Sequence, residues 1–386
     1  MKISILGKIH RILLGKYYPR SNRFIHLMKG KIKWIFPAFG FLLKNHSKKE
    51  KRILLIWDFQ TVPCSIGDLV LLHERAQILR LIHKVDKIDF CFVCNPKHNV
   101  RNNSLNITPD NLYTHFPQLV STVYLNPHIG NFFIFDSHND LENFISNNIE
   151  RYHLWPNFKE YIGKYDFAAD NQDIIQKFYL DYGFIPHLDY RPNSLKWAYS
   201  FYKKNVFPKF PVILHLRNNP LKKDYRNADL NVWIQFLKKA NKKFTNVKFI
   251  LIGAKGEIDS RFRHLSNVLI AKDYKTTVEQ DLILAATSLM FMGTSSGPMA
   301  GIWFSKKPYS IFRWDSTGFS ITIPPNKSLC FATENQILNW KPETEKDIME
   351  QFSNAFSKID KNKWKKEIEK TISNKKVFAS KLKWAE

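Results

Sequence analysis

The sequence predicts an α/β protein of two doubly wound parallel sheets, and three observations carry that expectation. The first is length: 386 residues, 44% of them apolar and 15% aromatic, exceed one ordinary domain and suffice for two buried cores. The second is the apolar run RILLIW over 52–57, followed by a helical pattern and a second strand over 88–94 with an apolar run over 90–93. Strands buried on both faces read this way, and a strand–helix–strand beginning implies parallel pairing. The third is that strand and helix patterns alternate again over 212–312, after Pro192, Pro208 and Pro211.

Taken in order, the helix after the first strand spans 68–83, with Leu71, Leu72, Ala76, Leu79 and Ile82 as its buried stripe. From 97 to 165 the pattern weakens to short strands over 122–125 and 132–135, and a helix returns over 172–182. The three prolines bracket a linker. Beyond it lie strands over 212–216, 247–252, 268–270, 289–292 and 308–312, and helices over 230–244, 278–286 and 298–304. Val232, Phe236, Leu237 and Ala240 face inward from the helix over 230–244. The expected organisation is a basic amphipathic leader over 1–51, one domain over 52–205, a second over 206–345, and basic helices over 346–386. The domains face each other across a cleft.

The formal charge of +25 is concentrated at the front, where residues 1–52 hold 14 Lys and Arg against the single acid Glu50. Ile3, Ile5, Leu6, Ile9, Ile12, Leu13 and Leu14 alternate there with Lys8, Arg11 and Lys16. A basic amphipathic stretch with aromatics suits adsorption to an anionic membrane surface, and its apolar run over 34–43 is too short to span one. No nucleic-acid recognition motif accompanies the charge, so no nucleic-acid partner is expected. Cys91 and Cys94 form C-x-x-C inside an apolar strand with no second pair or nearby His, which reads as buried thiols rather than a zinc site. The implied location is the cytoplasmic face of a membrane.

Three segments can carry chemistry. The first is Gly293-Thr294-Ser295-Ser296-Gly297-Pro298-Met299, which follows an apolar strand and opens a helix. Small residues and backbone N–H groups there suit a diphosphate, while an ordinary capped turn explains them equally well. The second is Arg217, just past the end of the strand over 212–216, with Lys222, Lys223 and Arg226 beyond it. Strand C-termini border the ligand crevice of open sheets, and a guanidinium placed there can fork onto phosphate oxygens. The third is Ser65-Ile66-Gly67-Asp68, in the loop after the first strand. Asp68 is either a helix-capping acid or a general base for an acceptor hydroxyl.

Together these segments resemble the heptosyltransferase-like glycosyltransferases of family 9. That family opens with a strand, an S-x-G-D loop and a long helix, matched by RILLIW and Ser65 to Asp68. Its second domain carries a helix with Trp, here Trp233, and a D-[ST]-G-x-x-H-x-A loop, matched by Ser296 and Gly297. The resemblance covers about residues 52–95 and 211–315. Ser295 stands where the family has Asp, and Ala300 where it has His, so heptose and an ADP carrier are not implied. The stretch from His215 to Arg217 is also similar to bacterial fucosyltransferase-like proteins. The resemblance implies a GT-B fold, with acceptor on the first domain and nucleotide sugar on the second. It implies an inverting transfer onto an envelope glycan, with Asp68 as base and Arg217, Lys222 and the 293–299 loop on the leaving diphosphate. No D-x-D sequence occurs, in keeping with a metal-independent transferase that takes its nucleotide sugar as substrate and uses no cofactor. Other readings are a nucleotide-sugar epimerase of the same fold and a non-catalytic basic adaptor.

Overall fold

The computed structural model describes residues 51–60, 65–94, 108, 111–126, 128–156, 167–186, 188, 190–219, 225–314, 323 and 327–373. The leader over 1–50, Lys222 and Lys223 lie outside them. The first sheet holds β1 (Arg52–Asp58), β2 (Ile88–Val93), β3 (Ile129–Phe135) and β4 (Tyr152–Trp155) in the order β3-β2-β1-β4, all parallel. Alternation along β1 explains its unbroken apolar run: Ile53, Leu55 and Trp57 join one core cluster, Leu54 and Ile56 another on the opposite face. α1 (Ile66–His83) covers the first face, with α2 (Leu112–Val120) beside it. α3 (His138–Asn148) covers the second through Leu141 and Ile145.

The chain then passes through α4 (Phe167–Tyr182) and α5 (Pro192–Asn205) into the second sheet. Its strands are β5 (Phe210–His215), β6 (Val247–Ile252), β7 (Val268–Ile270), β8 (Met290–Thr294), β9 (Tyr309–Phe312) and β10 (Gln336–Leu338). They run parallel in the order β10-β9-β8-β5-β6-β7, so the order reverses between β5 and β8. α6 (Leu230–Lys243) and α9 (Glu345–Lys358) pack together, and α7 (Val278–Thr287) packs with α5, which also meets α10 (Lys361–Ser373). Between β8 and β9, a 3₁₀ turn over Gly297–Met299 leads into the single-turn α8 (Ala300–Trp303).

Several expectations change. Residues 122–125 are not a strand but part of a 3₁₀ turn, Ser121–Leu125, that packs on α7 of the second domain. The presumed linker contains α5, because Pro192 occupies a first-turn position where its missing N–H costs nothing. Although α5 precedes the boundary drawn at 206, it packs on the second domain, where the Tyr202 hydroxyl donates to Leu284 O at 2.7 Å. Ile82 is 49% exposed at the end of α1. On α6, Trp233 takes the fully buried place and Val232 lies half-buried.

α1 is the element that joins the halves. Leu69, Leu72 and Ala76 face the first sheet, while Val70, Leu71 and Ile78 belong to the core of the second domain. Every residue from 69 to 78 is therefore buried. Each large aliphatic side chain among them contributes about 1.5–3 kcal/mol by leaving water. Glu74, four residues from both Val70 and Ile78, is carried into the same interface, and neither of its oxygens has a hydrogen-bond partner among the described residues. Burial pushes its carboxyl well above the usual range. The folded protein thus holds a proton that the unfolded chain releases above pH 4.5, and stability falls as pH rises through that value. Glu74→Leu should raise the denaturation midpoint by about 1–3 kcal/mol equivalent, and its advantage over wild type should grow above pH 4.5. Urea titrations at several pH values measure this. A destabilised variant would show that the carboxyl has a partner in solution.

Candidate active site

β5 ends at His215 and β8 at Thr294, and the two strands pair directly, His215 opposite Gly293. This is the point where strand order reverses and open sheets bind ligands. A Cβ on Gly293 would stand 2.0 Å from the His215 carbonyl oxygen, so only glycine permits the approach. Thr294 Oγ1 accepts the Arg217 N–H at 3.0 Å, and Ser296 Oγ lies 2.8 Å from His215 Nδ1. These two hydroxyls lace the 293–299 loop to the end of β5. The Arg217 carbonyl accepts the Ala228 N–H at 2.8 Å, and Asn219 and Asn227 exchange hydrogen bonds across the same loop. The Arg217 backbone is therefore pinned at the crevice, with its side chain half-buried.

Cations dominate the electrostatics. Burial, then the charges of Arg217 and Lys272, hold the His215 imidazole down to about 4, so it is neutral near pH 7. Lys272 pairs with the buried Asp281 at 2.8 Å and donates to Thr276 O at 2.6 Å. Asp281 also accepts from the Thr276 hydroxyl at 2.6 Å and from Gly253 N–H at 3.4 Å, which ties the end of β6 to α7. Glu257, beyond β6, has its carboxyl raised by burial, with the charge of Arg217 pulling the other way.

The loop over 293–299 and the start of α1 meet here. A Cβ on Gly67 would lie 3.0 Å from Gly297 Cα, and one on Gly297 would lie 3.0 Å from Gly67 N. The C-terminal edges of the two sheets thus face each other with backbone against backbone. Gly293, Thr294, Ser295, Ser296 and Met299 are buried, and Gly297 and Pro298 are half-buried. Ser65 caps α1 by accepting the Asp68 N–H at 3.2 Å, and its hydroxyl donates to Asp68 Oδ2 at 2.5 Å. Residue-by-residue reading overlooked Glu257, Lys272 and Asp281 on this edge, and Asp58 and His138 on the other. The legible signal was an acid closing the apolar strand at Asp58 and a glycine closing another at Gly253. Among the described residues, no group of three His, Cys, Asp or Glu is placed to hold a metal ion.

No family model matches the sequence, and no curated protein matches it. Solved structures do. A glycosyl transferase family 9 structure from Veillonella parvula aligns at TM-score 0.51 and 10% identity, covering 80% of this chain and 98% of that one. The Escherichia coli ADP-heptose lipopolysaccharide heptosyltransferase II aligns at TM-score 0.45 and 12% identity, covering 79% and 98%. The first likeness shows the fold: two parallel α/β domains facing across a cleft, the GT-B arrangement.

The neutral His215 makes a pH prediction. Its folded value near 4 lies below its ordinary 6.5, so the unfolded chain binds a proton first as pH falls. Above pH 6.5 it has no effect; from 6.5 down to about 4 it removes stability, up to about 3 kcal/mol. His73, held down to about 3 by burial, acts in the same direction. Denaturant midpoints measured from pH 7 to 4 should fall less steeply for His215→Gln than for wild type. Equal slopes would mean that His215 is charged in the folded protein.

Proposed function

We propose that the protein is a glycosyltransferase that moves a sugar from a nucleotide-diphosphate donor, bound where β5 and β8 diverge, onto an acceptor held at the facing edge of the first sheet. One observation carries this reading. Arg217 is fixed through its backbone at the switch point of a six-stranded parallel sheet, and the start of α1 closes over the same loop through Gly67 and Gly297. Donor and acceptor on opposite edges are brought together without a covalent enzyme intermediate, which favours direct displacement with inversion at the sugar carbon.

As the glycosidic bond breaks, negative charge builds on the departing diphosphate. A guanidinium held before the reaction begins stabilises that charge without reorganising. Lys222, five positions beyond Arg217 in the sequence, adds a second cation, so protein groups supply the neutralisation that a metal supplies elsewhere. The 293–299 loop brings backbone N–H groups, and the hydroxyls of Thr294 and Ser296 hold its shape. Asp68, in the first turn of α1, follows Gly67, which meets the donor loop, and is a carboxylate on the acceptor side. The acceptor is an envelope glycan or glycolipid, and the basic leader over 1–51 keeps the enzyme on the anionic cytoplasmic face of the inner membrane where such acceptors are built.

A thermal-shift panel of UDP, GDP, ADP and CMP identifies the carrier, since a ligand of the folded state raises its stability. With the matching sugar nucleotide, Arg217→Ala should lower kcat by roughly 100-fold, about 3 kcal/mol in the transition state. Arg217→Ala/Lys222→Ala should lower it further. Wild-type turnover by Arg217→Ala would remove the donor-site assignment.

A further inference from the structure

The acceptor edge carries a second polar pair. Asp58 is the last residue of β1, at the end bordering the reversal between β1 and β4, and its side chain is only 2% exposed. Its Oδ1 accepts the Gln60 N–H at 2.8 Å, and its Oδ2 lies 2.6 Å from His138 Nε2. His138 opens α3, three residues beyond β3, and its side chain stays 29% exposed. Gly67 and Gly297 show that this edge faces the donor crevice. Burying a carboxylate costs several kcal/mol unless a donor meets it, and this one meets an imidazole that stays partly exposed at the C-terminal edge of the first sheet rather than within the core.

We propose that His138, oriented by Asp58, takes the proton from the acceptor hydroxyl; this deepens the transferase reading and rests on it. In the tautomer whose Nε2–H donates to Asp58 Oδ2, Nδ1 carries the lone pair. The hydrogen bond to Asp58 raises the imidazole above its ordinary 6.5, burial opposes it, and the charges of Asp58 and Glu142 add to the rise. From β2, the Cys91 thiol lies near enough to Asp58 to be pushed up by burial and by that charge, and it stays neutral. Asp68, by contrast, has Oδ2 engaged by the Ser65 hydroxyl. In the step, the acceptor O–H bond breaks and its proton passes to Nδ1. The oxygen forms a bond to the anomeric carbon as the bond from that carbon to phosphate oxygen breaks. The electron pair leaves with the nucleoside diphosphate, and the imidazolium, stabilised by Asp58, returns its proton to water.

The test is the pH dependence of kcat. Sugar is transferred from the nucleotide selected by the thermal-shift panel to detergent-solubilised envelope glycolipid, for wild type, His138→Gln, Asp58→Asn and Asp68→Asn. Wild type should lose rate on the acid side with an apparent pKa above 6.5. His138→Gln should lose roughly 100-fold in kcat and the acid limb with it, with donor affinity by calorimetry unchanged. Asp58→Asn should move the limb to lower pH by about one unit, and Asp68→Asn should retain it. Ring-carbon NMR titration of His138 in wild type and Asp58→Asn should show the same displacement without any turnover. An active wild type whose limb survives in His138→Gln, or disappears in Asp68→Asn, overturns this proposal alone. A wild type inactive with every sugar nucleotide overturns the transferase reading as well.

Discussion

The packing of α1 between the two sheets is the constraint on which the rest of the molecule depends. A surface helix of an open sheet buries one stripe, but α1 is buried over ten consecutive residues because the second domain covers what the first leaves open. The helix starts with a backbone so close to Gly297 that a Cβ on Gly67 or Gly297 would lie 3.0 Å from the other's backbone and push it away. Relative placement of the two sheets' C-terminal edges is thereby tied to one helix terminus. The arrangement carries a cost at His73 and Glu74, two polar side chains taken into the interior without hydrogen-bond partners among the described residues.

The two facing edges differ in chemistry. On the second sheet, Arg217 and Lys272 surround a histidine kept neutral, and Asp281 neutralises Lys272 within a network that also holds the end of β6. That edge suits a multiply charged anion. On the first sheet, a buried carboxylate props an imidazole that stays partly in water, a pairing suited to moving a proton rather than holding a phosphate. The proposed transfer, which expels a diphosphate and deprotonates a hydroxyl, needs one edge of each kind.

Much of the fold was legible in the letters. Central parallel strands need apolar side chains on both faces, so β1, β2, β5, β6 and β8 announce themselves as largely apolar runs, interrupted only by Asp89 in β2 and Lys248 in β6 before their last residues. β4 (Tyr152–Trp155) and β10 (Gln336–Leu338) lie at sheet edges, are short and mix polar with apolar residues, and no run marks them. The stretch 122–125 has strand-like residues, yet it becomes a 3₁₀ turn because its packing on α7 comes from a segment more than 150 residues away.

The sequence by itself determined the two parallel sheets, the strand ends that carry Arg217 and Thr294, and the glycines at 293 and 297, because burial and backbone space act locally. Only the tertiary structure decided that Gly297 faces Gly67, that Ser296 holds His215, and that Asp58 meets His138 across 80 residues. Those partners are set by strand order and by how α1 seats the second domain. Neither spacing nor periodicity encodes which strand ends become neighbours when a sheet reverses direction.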